Sequence, residues 1–322
     1  MSTKPSLKAV AEAAGVGYGT ASRALSGKGY VSAATRRKVE KAAQQLNYRP
    51  SVLAKALRED RTNLVGVIVP TLLNEFYSDA MQVIQAELAQ AGYQMIVSAA
   101  GTAEQQDQAV ESLVQHRVAG IIQVPVIGAT PTQEVPLVQL NRFNLGEGIA
   151  AVVADDEPGF FELGNRVLPD GGRAGVLLGE EALTTTQARL RGLRRAAAQR
   201  NCELVVRYGE YTADSGYRLT SDLLAGGFGH LDLIVVASPR LMAGSVRYLV
   251  EHEINVPHDI GLAGYDDPEW YRFFGPGITA FVPPHKKMGA TVTQLLLDAI
   301  DNAIDPEIRH LPGTLIVRGS AG

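Results

Sequence analysis

Apolar positions in the first fifty residues recur at three and four, whereas from Leu64 onward they come in short unbroken runs. In "SLKAVAEAAG" the residues Leu7, Val10, Ala11 and Ala14 share one helical face. Ser6 is placed to cap that helix and Gly15 to end it. "YGTASRAL" turns Ala21, Ala24 and Leu25 inward and leaves Tyr18, Gly19, Ser22 and Arg23 outside. Ser32 can cap a third helix over "AATRRKVEKAAQQLNY", with Val39, Ala42, Ala43 and Leu46 inward. Three short helices with a tight first turn predict a helix-turn-helix domain over residues 1–50. The second helix of such a unit lies in the major groove. Tyr18, Gly19 and Arg23 then face base edges, and Thr20, Ser22, Lys28 and Tyr30 suit phosphates.

Gly15, Gly17 and Gly19 raise a rival reading, a phosphate-binding glycine loop. That loop must follow a buried strand, and here a helical pattern precedes it with the wrong glycine spacing. The glycines instead leave room for a turn and for close approach of a helix backbone to a duplex. After Pro50 the segment "SVLAKALR" is too short to be a stable helix alone, yet it shows Leu53 and Leu57 beside Lys55 and Arg58. A helix that forms on a partner suits a minor-groove wedge, so residues 51–62 are expected to be a hinge helix and linker.

Beyond Leu64 the runs "LVGVIVP", "YQMIVSA", "AGIIQVP", "PLVQL", "AAVVAD", "RAGVLLG", "CELVVRY", "LDLIVVA" and "DIGLAGY" predict buried strands alternating with helices. This is the pattern of an α/β protein with parallel sheets. The strands are too many for one small sheet, so two Rossmann-like subdomains with a cleft between them are expected over residues 63–322. Ligands in such sheets sit beyond the strands' carboxyl ends. The candidates there are Asn74, Phe76, Tyr77, Arg189, Tyr211 and Asp266. An aromatic face, a cation and a carboxylate together suit a sugar-like ligand.

Charge sharpens the division. Residues 1–63 carry twelve Lys and Arg against four Asp and Glu, a net of +8, within a chain whose net charge is −4. A basic head on an acidic body points to a polyanion partner for the head alone. The single cysteine, Cys202, permits no internal disulfide. No apolar run is long enough for a membrane span, and "MSTKPSLK" has no signal-peptide character, so a cytoplasmic location is expected. No nucleophile elbow, zinc-protease helix or Walker sequence is present, and the six histidines are scattered and expected at the surface. The expectation is a non-enzyme without cofactor or metal.

The stretches "LKAVAEAAGVGYGTASRALSG", "YVSAATRRKVEKAAQQLNYRP" and "LAKALREDRTNLVGVIVP" resemble the LacI/GalR family of bacterial transcription regulators. The resemblance extends over essentially the whole chain and implies a periplasmic-binding-protein type I fold for the body. It implies that Leu57 is the leucine inserted at the centre of a palindromic operator and that Arg58 follows it toward phosphate. It also implies that Arg189, in R-x-x-G, and Asp266, in G-Y-D-D, contact an effector and that Tyr211 stacks on it. The chain departs from the family at Ser238-Pro239, where Asn-Asp is usual, at Asn141, where aspartate is usual, and at Glu75, where proline is usual. These departures leave the effector class open among sugar, polyol, sugar acid, nucleoside and phosphate ester. The expected protein is a homodimeric repressor of a catabolic or uptake operon, released from double-stranded operator DNA by a small sugar-like effector. Alternatives are an activator or dual regulator of the same architecture, or a sugar-binding protein with a vestigial head. "LIVRGSAG" at the end carries no heptads, so no coiled-coil tetramer is expected.

Overall fold

The computed structural model of the chain describes residues 5–26, 29–48, 62–144, 148–227, 229–302 and 304–321. Contacts divide the chain into two units, Met1–Thr62 and Asn63–Gly322.

The first unit holds α1 (Leu7–Ala14), α2 (Tyr18–Ser26) and α3 (Ala33–Gln45). Ser6 Oγ accepts from the Ala9 N–H at 3.2 Å, and Ser32 Oγ accepts from the Thr35 N–H at 3.2 Å, so both predicted caps are made. Gly15 ends α1 at φ +66°, a conformation that only glycine adopts without strain. Gly17 and Gly19 do not share it, so the turn depends on one of the three glycines. Val10, Ala11, Ala21, Ala24, Val39, Ala42 and Ala43 form the core, and its small side chains let the helices approach closely. The proposed hinge, with Leu57 and Arg58, lies outside the described residues, as does Lys28.

The second unit contains two six-stranded sheets. The first comprises β1 (Leu64–Val69), β2 (Gln94–Ala99), β3 (Gly120–Gln123), β4 (Leu137–Leu140), β5 (Ala151–Ala154) and β11 (Ile308–Leu311). The second comprises β6 (Arg173–Leu178), β7 (Glu203–Tyr208), β8 (Leu233–Val236), β9 (Gly261–Tyr265), β10 (Thr279–Val282) and β12 (Thr314–Ile316). Their orders are β11-β5-β4-β3-β1-β2 and β12-β10-β9-β8-β6-β7, the same plan twice. Every pairing is parallel except β10 with β12. That antiparallel edge and the strands β10, β11 and β12 were not among the predicted runs. β11 and β12 are edge strands in which every position but the buried Leu311 is exposed or half-buried, so they lack the continuous apolar run that marks a central strand.

Helices cover the sheets: α4 (Glu75–Gln90), α5 (Ala103–Gln115), α6 (Asp156–Val167), α7 (Thr184–Arg200), α8 (Ala213–Ala225), α9 (Pro239–Glu251) and α10 (His285–Asp301). On α4 the buried stripe is Phe76, Tyr77, Ala80, Ile84 and Leu88, a helical period facing the first sheet. Burying a side chain such as Ile84 or Leu88 contributes about 1.5–3 kcal/mol. The chain passes between the sheets after β5, after β10 and again between β11 and β12. The crossings lie side by side, because the Asp155 N–H donates to the Leu311 carbonyl at 2.9 Å and β12 pairs with β10. None of the described helices is long and apolar enough to cross a membrane.

Candidate functional site

In the first unit Tyr18, Gly19, Arg23 and Tyr30 are exposed, while Thr20 and Ser22 are half-buried. Tyr18 and Arg23 therefore stand on the open side of α2, whose other side carries the core residues Ala21 and Ala24. A row of polar and cationic groups on one helix, backed by alanines, can enter a groove without exposing its own core.

In the second unit the carboxyl ends of both sheets open on one cavity of about 510 Å³, the size of a small-molecule site. All eight candidates in this unit line it: Asn74, Phe76, Tyr77, Asn141, Arg189, Tyr211, Ser238 and Asp266. Asn74 caps α4, its Oδ1 accepting from the Phe76 N–H at 3.2 Å, and this fixes the first turn that carries Phe76 and Tyr77. Ser238 caps α9 in the same way, accepting from the Arg240 N–H at 3.2 Å, and Pro239 fits the first helical turn, where its missing N–H costs nothing. Asn141 and Asp266 end β4 and β9 at φ +69° and +72°. Asn and Asp tolerate this left-handed conformation better than other side chains. Asp266 is held further, since its Oδ1 accepts from the Asp267 N–H at 2.7 Å. Asn141 Oδ1 and Asp266 Oδ2 are buried and have no partner in the protein.

Arg189 is buried, against the plain expectation for a cation in the Arg-rich helix α7. Its Nε donates to Asp156 Oδ2 at 2.8 Å and its Nη1 to the Ala237 carbonyl at 2.7 Å. The guanidinium also lies over the Tyr265 ring, 3.6 Å from its centroid. Burial opposes the charge on Arg189, but the Asp156 carboxylate together with Tyr265 and Tyr211 outweighs it and holds the guanidinium above its ordinary pKa. Burial pushes the Asp156 carboxyl up, against the pull of Arg189. Tyr211 is placed through Gly179, where any Cβ would run into the tyrosine ring. Its hydroxyl meets Thr186 Oγ1 at 3.3 Å.

Arg142 and Tyr265, which line the cavity, and Asp156 and His285, which meet its lining residues Arg189 and Asp266, are not among the residues the sequence singles out. Each had a positional signal. Arg142 follows the strand end at Asn141, Asp156 follows β5, and Tyr265 closes β9. His285 corrects the expectation that the histidines lie at the surface. It opens α10 directly after a crossing, with 14% of its side chain exposed. Its Nε2 is 3.0 Å from Asp266 Oδ1 and its Nδ1 is 3.7 Å from Asp79 Oδ2. Partial burial, then the charges of Asp266 and Asp79, push the Glu75 carboxyl above the usual carboxylate range. Among the described residues no cluster of His, Cys, Asp and Glu has the arrangement of a metal site.

Each of the two units has counterparts among known proteins. The family model of bacterial regulatory proteins of the lacI family matches residues 6–51, and that of a periplasmic binding protein-like domain matches residues 171–321. The ribose operon repressor of Escherichia coli (strain K12) is 27% identical, over 98% of this chain and 99% of its own. A LacI-family protein of Corynebacterium glutamicum with a solved structure is 46% identical and has a TM-score of 0.75, over 80% of this chain and 99% of its own. A lac repressor dimer bound to operator and the anti-inducer ONPF is 26% identical and has a TM-score of 0.82, over 99% of each chain. These relatives are transcriptional regulators rather than enzymes, and the chain belongs to the LacI family of bacterial transcriptional regulators.

Proposed function

We propose that this regulator is a repressor that binds a palindromic operator as a homodimer and leaves it when a small sugar-like effector fills the cavity of the second unit. It acts in the cytoplasm on an operon for uptake or catabolism of that effector. Tyr18, Gly19 and Arg23 read base edges, and Thr20, Ser22 and Tyr30 hold phosphates. Residues 63–322 bind effector and carry the dimer contact. Asn74, Asn141, Arg189, Ser238 and Asp266 offer polar contacts to the effector, and Phe76, Tyr77 and Tyr211 offer it aromatic walls. The lac repressor relative supports this reading, since its structure holds operator and an anti-inducer together.

The observation that carries the reading is the convergence of strand ends from both sheets on one cavity. A ligand that touches both walls favours one setting of the sheets over another, and only such differential contact can shift an equilibrium. The test is fluorescence anisotropy of the full chain on DNA fragments from upstream of its own gene, with and without sugars. Tight binding at low salt, falling steeply as salt rises, is expected. An affinity that no fragment exceeds over random DNA would overturn the reading.

A further inference from the structure

We propose that the effector carries an anionic group, a carboxylate or a phosphate, and that Arg142 binds it. This rests on the effector reading of the cavity above.

Arg142 lines the cavity and is 6% exposed. Its Nη2 donates to the Tyr77 hydroxyl at 3.1 Å, and its Nε has no partner. The guanidinium lies 5.8 Å from the Tyr211 ring centroid. Among the described residues no carboxylate forms an ion pair with it. Glu180 and Glu210, acids that line the same cavity from the second sheet, stand exposed, and neither pairs with Arg142. A guanidinium cannot shed its proton to escape burial, so a buried one without a counter-charge is costly.

The other buried arginine, Arg189, and the half-buried Arg318 are both answered. Arg189 has Asp156 at 2.8 Å, and Arg318 has Asp267 at 2.7 Å. Arg142 alone among these three has no carboxylate among the described residues, and its Nε donor is left without a partner. A guanidinium recognises a carboxylate or phosphate through paired donors, which a hydroxyl cannot match. The rest of the wall suits hydroxyls, because Asn141 Oδ1 and Asp266 Oδ2 are buried acceptors without donors. The ligand therefore combines an oxyanion at one end with hydroxyls at the other, as an aldonate or a sugar phosphate does.

The test is calorimetric titration of the full chain with D-gluconate, D-glucose 6-phosphate and D-ribose 5-phosphate against D-glucose and D-ribose. At least one anionic compound should bind at least about tenfold more tightly than its neutral counterpart. Arg142→Gln should lose that preference and Arg142→Lys should keep part of it, with cooperative melting showing that both variants fold. Better binding of neutral sugars, binding of neither class, or an unchanged anion preference in Arg142→Gln would each overturn the proposal. Binding of D-gluconate against the two sugar phosphates tells the two oxyanions apart. Operator binding by the ligand-free wild type is measured alongside. If it is present while anions are ignored, only this inference fails; if it is absent, the regulator reading fails.

Discussion

The ends of β4 and β9 hold the same third place in two sheets of the same order, and their backbones match. Asn141 donates its N–H to Val152 on β5 at 2.8 Å, and Asp266 donates its N–H to Phe281 on β10 at 2.7 Å. Both residues are left-handed. The residues that follow differ in kind. Asp267 is consumed by the protein, paired with Arg318 at 2.7 Å, whereas Arg142 finds no acid among the described residues. One structural plan thus yields one strand end whose following charge is paired within the protein and one whose following charge is not. Burial alone does not mark a binding group; burial without an answering charge does.

The comparison breaks most readily at Asp156. Asp156→Ala orphans a buried guanidinium and should cost about 3–5 kcal/mol of unfolding free energy in urea titration. Arg142→Gln in the same titration should cost little or even stabilise, since no charge loses its partner. Equal losses in the two variants would erase the distinction between the walls. Next in size is Gly179→Ala, where the new methyl meets the Tyr211 ring. Overpacking there should cost about 1–3 kcal/mol and weaken effector binding, read by thermal melting and calorimetry. Asn141→Ala places an ordinary side chain at φ +69° and should cost about 1–2 kcal/mol. Asp266→Ala should cost more, because it also removes the bond to the Asp267 N–H. The smallest effect is expected at Glu157, which meets Arg191 at 2.7 Å and Arg195 at 3.3 Å on the surface. The hydrogen bond from Arg191 holds this carboxyl below the usual glutamate range. Its contribution is therefore present above the ordinary glutamate pKa and is lost as pH falls through the lowered value. Solvent screening keeps it below about 1 kcal/mol. Melting temperatures of wild type and Glu157→Gln should converge at low pH and at high salt.

The central strands and the three head helices were legible because their apolar spacing is dictated locally, as in Val65–Val69 or the stripe Val39, Ala42, Ala43. The cavity residues were legible as a set because strand ends in a parallel sheet gather at one side. What could not be seen was which charges answer one another. Arg189 finds Asp156 thirty-three positions away, a pairing set by the packing of α6 on α7. Without that pair in view, the local sequence around Arg189 and Arg142 does not show which of the two has its charge answered within the protein. His285 escaped for a similar reason, since its surroundings come from α4 and from the end of β9.

The triple passage of the chain between the sheets has a mechanical result. A lone tether would let two bodies swivel in any direction, whereas three adjacent ones act like the leaves of a door hinge. They restrain sliding and twisting more than one strand would and favour bending about their line. A guest gripped between the walls would then push the far ends of the body mainly along the arc that this line of crossings favours.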